Sequence, residues 1–190
     1  MNRDIKQHKA KGHALSVFSL KIGEWKNLFT ENEYKLMIAK SLNYCAFNEY
    51  PRKHDDFNVE IVGYLITAQQ VCLVLSMEPA NVNKMLMFFY KMIKDEIRLG
   101  LDNPMACRNK KRTGDSSSTE TLYMNLFEKH PLNNYLLVKL ITGQKTELGY
   151  YNPRLALMKD RIHDYNFCSA LDYAGAAGPV KVTKMIWPLN

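Results

Sequence analysis

Apolar and polar positions alternate along two stretches of this chain, and the alternation predicts strands. His13 to Ile22 (HALSVFSLKI) alternates and is rich in β-formers, which predicts a first strand. Asn58 to Met77 (NVEIVGYLITAQQVCLVLSM) reads as two further strands joined by the tight link Thr67-Ala68-Gln69. Between these stretches the pattern becomes helical. Thr30-Glu31-Asn32-Glu33 is a capping box, in which Thr30 caps the Glu33 amide and the Glu33 carboxylate reaches back. It opens a helix through about Phe47, with Leu36, Met37, Leu42, Cys45 and Ala46 as its apolar stripe. Pro51 to Asp56 is a polar link.

Asn81 caps a second helix, Val82 to about Leu99, whose Leu86, Tyr90, Ile93 and Ile97 share one face. Strand, helix, strand, strand, helix is the opening of a split βαβ, and it predicts a ferredoxin-like α+β fold with helices packed on an antiparallel sheet. Leu122 to Phe127 reads as another strand, and Asn133 or Asn134 caps a helix through Leu140 with Gly143 as its stop. From Tyr150 onward the tail is turn-rich and aromatic, and no internal repeat is visible.

With 190 residues, a single domain is expected: a basic arm over 1–12, an α+β domain over 13–180 and a tail over 181–190. The formal net charge of +7 changes the picture, because it favours polyanionic partners. Cys45, Cys72, Cys107 and Cys168 show no CxxC pairing, so they predict free thiols in a reducing, cytoplasmic setting. The charged N-terminus has no apolar core of the kind a secretory signal needs, and Gln69-Gln70 interrupts the longest apolar run, so no membrane association is expected.

Candidate chemistry centres on the hairpin. Gln70 and Cys72 flank Val71, so both point to one face of a strand that is otherwise apolar. The five histidines are scattered, and none pairs with another at metal-ligand spacing on one element. His54-Asp55-Asp56 lies in the polar link, where water weakens any carboxylate–imidazole pairing. No Gly-rich phosphate loop, GxSxG elbow or HExxH is present. The candidate nucleic-acid contacts are Lys84, Lys91 and Lys94 on the second helix and Arg108, Lys110, Lys111 and Arg112 in the polar stretch after it. Lys6, Lys9 and Lys11 of the arm add to them, while Trp25, Tyr123 and Trp187 read as core aromatics ahead of base-stacking ones.

Two separated regions resemble one family, the single-tyrosine insertion-sequence transposases with a His-hydrophobic-His motif, especially the REP-associated tyrosine transposases. Tyr64-Leu65-Ile66-Thr67-Ala68-Gln69-Gln70-Val71-Cys72-Leu73 lies over that family's Tyr-Val-Val-Met-Pro-Asn-His-Val-His-Leu strand. Asn152-Pro153 and Asp164-Tyr165-Asn166-Phe167-Cys168-Ser169-Ala170-Leu171-Asp172-Tyr173-Ala174-Gly175 are similar to its Asn-Pro-Val and Glu-Asp-Tyr-x-Tyr-Ser-Ser-Ala-x-x-Tyr-Ala-Gly segments.

The resemblance implies an HUH-type fold, a homodimer, and an enzyme that nicks single-stranded DNA. Two histidines would hold Mg²⁺ or Mn²⁺ on the scissile phosphate for attack by a helix tyrosine. Gln70 and Cys72 occupy both histidine positions, and Tyr90 falls about one turn before the expected nucleophile. A carboxamide and a soft thiol suit a hard cation poorly, so no cofactor is expected unless residual family activity persists. The leading expectation is a protein that binds single-stranded or hairpin DNA with cleavage lost or impaired, Tyr90 reading as a core residue of its helix face ahead of a vestigial catalytic one. The alternatives are a nicking enzyme with a non-standard site using Cys72, and a domesticated protein-interaction module.

Overall fold

The sheet is built by the alternation in the first 77 residues. A computed structural model describes residues 13–46, 58–102, 125–147, 150–163 and 165–185. β1 (Ala14–Ile22) sends Phe18, Leu20 and Ile22 to one face and Val17, Ser19 and Lys21 to the other. β2 (Glu60–Ile66) and β3 (Gln70–Met77) form the expected hairpin. Thr67 holds its turn: its amide donates to the Gln70 carbonyl at 2.8 Å, and its hydroxyl accepts from the Gln69 and Gln70 amides. β4 is Phe127–Pro131; of the strand expected at Leu122 to Phe127, residues 122–124 lie outside the described residues, and Phe127 is the first residue of β4. Its residues are mostly polar, and pairing with Phe18 to Ile22 of β1 makes it a strand. The antiparallel order is β2-β3-β1-β4, the ferredoxin-like arrangement of a βαββαβ chain.

Two helices close the first face. α1 (Glu31–Ala46) starts at the capping box, where the Glu33 carboxylate accepts from the Thr30 amide at 2.7 Å. Its buried stripe is Tyr34, Ile38, Leu42 and Cys45, whereas Leu36 is 45% exposed. Of the expected stripe, Leu42 and Cys45 are buried and Met37 and Ala46 pack against the same core, while Leu36 lies on the outward side and Tyr34 and Ile38 take part in its place. α2 (Val82–Asp102) buries Met85, Leu86, Phe89, Ile93 and Ile97 against the same face. Each such side chain contributes about 1.5–3 kcal/mol by leaving water. Trp25 is fully buried in this layer, donating its indole N–H to the Leu126 carbonyl at 2.8 Å.

The second face is covered by the C-terminal region, which is helical rather than only turns. α3 (Tyr135–Ile141) begins at Asn134, whose side chain accepts from the Leu137 amide at 3.1 Å, and it stops at Gly143 with φ 67°. Its end meets β2 at Gly63, where a Cβ would stand 2.6 Å from the Ile141 carbonyl oxygen, so only glycine permits the approach. α4 (Pro153–His163) and α5 (Ala170–Tyr173) follow. Leu137, Ile141, Ile162 and Cys168 pack there against Val62, Leu65, Cys72 and Val74.

The segment before α5 also seals the outer edge of β2. Ile66 N–H donates to the Phe167 carbonyl at 2.9 Å, and the Tyr64 amide donates to the Ser169 hydroxyl at 2.8 Å. The Tyr165 and Tyr173 hydroxyls donate to the Ile66 and Val62 carbonyls at 2.8 and 2.9 Å. These bonds satisfy an edge that would otherwise offer free backbone groups to another strand. Buried Lys35 ties this strap to α1: its ammonium bonds the Glu31 carboxylate and the Tyr165 hydroxyl. Burial alone would lower the Lys35 pKa, but those two bonds outweigh it and hold the pKa above the ordinary lysine value. Among the described residues, no helix is long and apolar enough to cross a membrane.

Candidate functional site

Strand register places the candidate residues in two rows on the second face. One row runs Gln70, Lys21, Glu128 across β3, β1 and β4, and the next runs Cys72, Ser19, His130. The rows differ in cover. Gln70 and Lys21 are exposed at the hairpin end, whereas Cys72 is fully buried beneath the C-terminal helices. Along the second row burial falls toward β4: Ser19 is 6% exposed and His130 is half-exposed. An open concavity of about 590 Å³ lies over the uncovered part, lined by Ser19, Lys21, Gln70, Glu128 and His130, with Lys26 and Glu24 at its margin.

Its electrostatics are balanced. Glu128 faces Lys21 at 3.7 Å and the His130 Nε2 at 3.3 Å. Lys26 donates to the Ala68 carbonyl at 3.2 Å, and Glu24 accepts from Asn27 at 2.6 Å. The Ser19 hydroxyl and the Gln70 carboxamide line the concavity without a hydrogen-bond partner among the described residues.

The expected dyad is thus divided. Gln70 reaches solvent, and Cys72 packs with Val74, Leu65 and Cys168. Burial pushes the Cys72 thiol up to about 11, and Cys168, similarly raised to about 11, adds to the shift. A neutral buried thiol beside an exposed carboxamide is a poor donor set for a hard divalent cation. Among the described residues, no three His, Cys, Asp or Glu side chains cluster as a metal ion requires.

Tyr90 lies in the other layer. It stacks on Phe127, with ring centroids 5.4 Å apart and planes at 18°, beside Phe89 on the face closed by α1 and α2. Burial raises its phenol pKa, the opposite of what activates a tyrosine nucleophile. The sheet stands between Tyr90 and Gln70, and one chain does not bring them together. Lys84, Lys91 and Lys94 are exposed on α2, also on the closed-face side. Arg108, Lys110, Lys111 and Arg112 lie outside the described residues, as do the basic arm, His54-Asp55-Asp56, Cys107, Tyr123 and Trp187.

Ser19, Lys21, Glu128 and His130 are the site residues that the sequence did not single out. The polar positions of β1, Ser19 and Lys21, interrupt an apolar strand with the same two-residue spacing as Gln70 and Cys72, and that was the available signal. Their meeting with Glu128 and His130 depends on the pairing of β4.

Compared with known proteins, the chain matches no family model, no curated protein and no solved structure.

Proposed function

We propose that this protein is a transposase-like nucleic-acid-binding protein that holds single-stranded or hairpin DNA and has lost strand cleavage. The observation that carries the binding half is the outward side of α2. Lys84, Lys91, Lys94 and Arg98 are exposed there at helical spacing, with Asp95 as the acid among them, on a chain of net charge +7. Such a stripe suits a phosphate backbone, which supplies a regular line of negative charge. Loss of cleavage is supported by the burial of Cys72, the poor donor set at the two motif positions and the placement of Tyr90 across the sheet.

The test is binding of a labelled hairpin oligonucleotide with a single-stranded tail, over a range of salt. Three phosphate contacts to a single strand predict an affinity loss of roughly 20-fold between about 50 and 200 mM salt. Lys84→Glu combined with Lys91→Glu should abolish most of that dependence. Affinity that is weak and indifferent to salt would favour a protein-interaction module instead. With Mg²⁺ or Mn²⁺ present, the labelled strand should stay intact. Cleavage abolished by Tyr90→Phe would overturn the inactive assignment.

A further inference from the structure

The seam between α1 and α2 carries a pair of aromatic rings flanked by cations. Phe88 follows Lys84 by four residues and precedes Lys91 by three, so the three side chains share one face of α2. Its ring stacks on that of Tyr44 in α1, with centroids 5.9 Å apart and planes at 21°, and both residues are half-buried. Lys40 stands one turn before Tyr44 on α1 and is exposed. Met87, beside Phe88, is 73% exposed although it is apolar. Among the described residues, none of Lys40, Lys84 and Lys91 has an ion pair.

The charge here differs from that of the concavity, where Glu24 and Glu128 stand among the lysines. From Lys40 to Asn48 and from Lys84 to Met92 the chain has no Asp or Glu. An anion therefore meets no repelling carboxylate from either helix over this stretch. Cations alone suit any polyanion, duplex or single-stranded. Partly open rings and an exposed methionine add an apolar surface that a phosphate backbone does not use. The face of an unpaired base does use it, because every base can stack on an aromatic ring. A duplex stem keeps its base faces inside its own stack, so it gains only the charge contacts.

We infer that the α1–α2 seam is a stacking surface for unpaired bases of single-stranded DNA, with the Tyr44 and Phe88 rings against base faces and Lys40, Lys84 and Lys91 against the flanking phosphates. The inference rests on the nucleic-acid reading above and deepens it, making the single strand rather than the hairpin stem the recognised part.

Two hairpin oligonucleotides are titrated with the full chain, one with an ordinary single-stranded tail and one whose tail keeps its phosphates but lacks its bases. The ordinary tail should bind about tenfold more tightly, in the range of one base–ring stack. Tyr44→Leu and Phe88→Leu keep apolar bulk at the seam but remove a ring. Each should lose most of that preference while binding the abasic tail as the unmodified chain does, with the salt dependence unchanged. Tyr44→Phe, which keeps the ring, should retain the preference. Chemical denaturation identifies any variant that loses its fold, and the comparison of tails in the unmodified chain stands without the variants. Equal affinity for the two tails, or a preference that survives both leucine variants, would overturn the stacking surface and leave the binding function standing. If the unmodified chain binds neither oligonucleotide, the binding function itself fails and the stacking surface with it.

Discussion

The covered and open halves of the second sheet face belong to one sheet, yet their chemistry differs. Over β2 and the inner part of β3, Val62, Leu65, Cys72 and Val74 are sealed by Leu137, Ile141, Ile162 and Cys168. Over β1 and β4, Lys21, Glu128 and His130 remain open around Ser19. Two positions that point the same way, Gln70 and Cys72, fall on either side of the boundary. Direction along a strand decides which face a residue joins. What lies over that face decides whether the residue can meet a ligand.

Histidine placed on either side of the boundary should separate the halves most sharply. Cys72→His forces a larger polar ring into a dry, filled core and should cost about 3 kcal/mol in chemical denaturation. A loss below about 1 kcal/mol would show that the C-terminal cover is looser than the packing implies.

Ser169→Ala probes the strap that makes the cover. The Ser169 hydroxyl accepts from the Tyr64 amide at 2.8 Å and faces the Tyr64 and Ile141 carbonyls at 3.0 and 2.5 Å. Its removal strands a buried donor and should cost about 2 kcal/mol, read as a shift in the urea midpoint. Exchange of the β2 edge amides should quicken in the same variant, because their cover is loosened.

Thiol chemistry gives a contrast in pH. Burial raises Cys72 and Cys168 to about 11 from an ordinary value of 9.0, so the folded state keeps these protons where the unfolded state loses them. Stability from these groups is complete below pH 9.0 and declines as pH rises toward 11. In a Cys107→Ser background, alkylation of the native chain near neutral pH should therefore be slow, while a thiol introduced by Gln70→Cys should react readily. Equal rates for buried and introduced thiols would count against the boundary.

The smallest effect is expected at Gln70→His. The side chain is exposed, and stability should change by less than about 0.5 kcal/mol. A larger destabilisation would mean that Gln70 belongs to the packed half after all.

Several elements were legible because their signals are local. Alternation marked β1 and the β2–β3 hairpin, Thr30 and Glu33 marked the start of α1, and Asn134 with Gly143 bounded α3. Most of the α1 face was legible, but Leu36 and Ile38 are equally apolar and only the sheet's position selects between them. β4 was not legible beyond Phe127 for a similar reason: Glu128-Lys129-His130 has no apolar alternation and becomes a strand by bonding to β1. Of the candidate site, Gln70 was visible and Ser19 and Lys21 were readable as polar breaks in β1, but His130 looked like an isolated surface side chain.

By itself the sequence determined the order of elements from β1 to α2, their antiparallel pairing into an α+β fold, and the common direction of Gln70 and Cys72, because periodicity and caps act over a few residues. Only the tertiary structure decided that Cys72 is closed over and Gln70 is not. It also decided that Tyr90 stands across the sheet and that Ser19, Lys21, Glu128 and His130 share one concavity. Those outcomes come from contacts between segments about a hundred residues apart, such as Tyr64 with Ser169, and the energy of such contacts depends on how the whole chain packs.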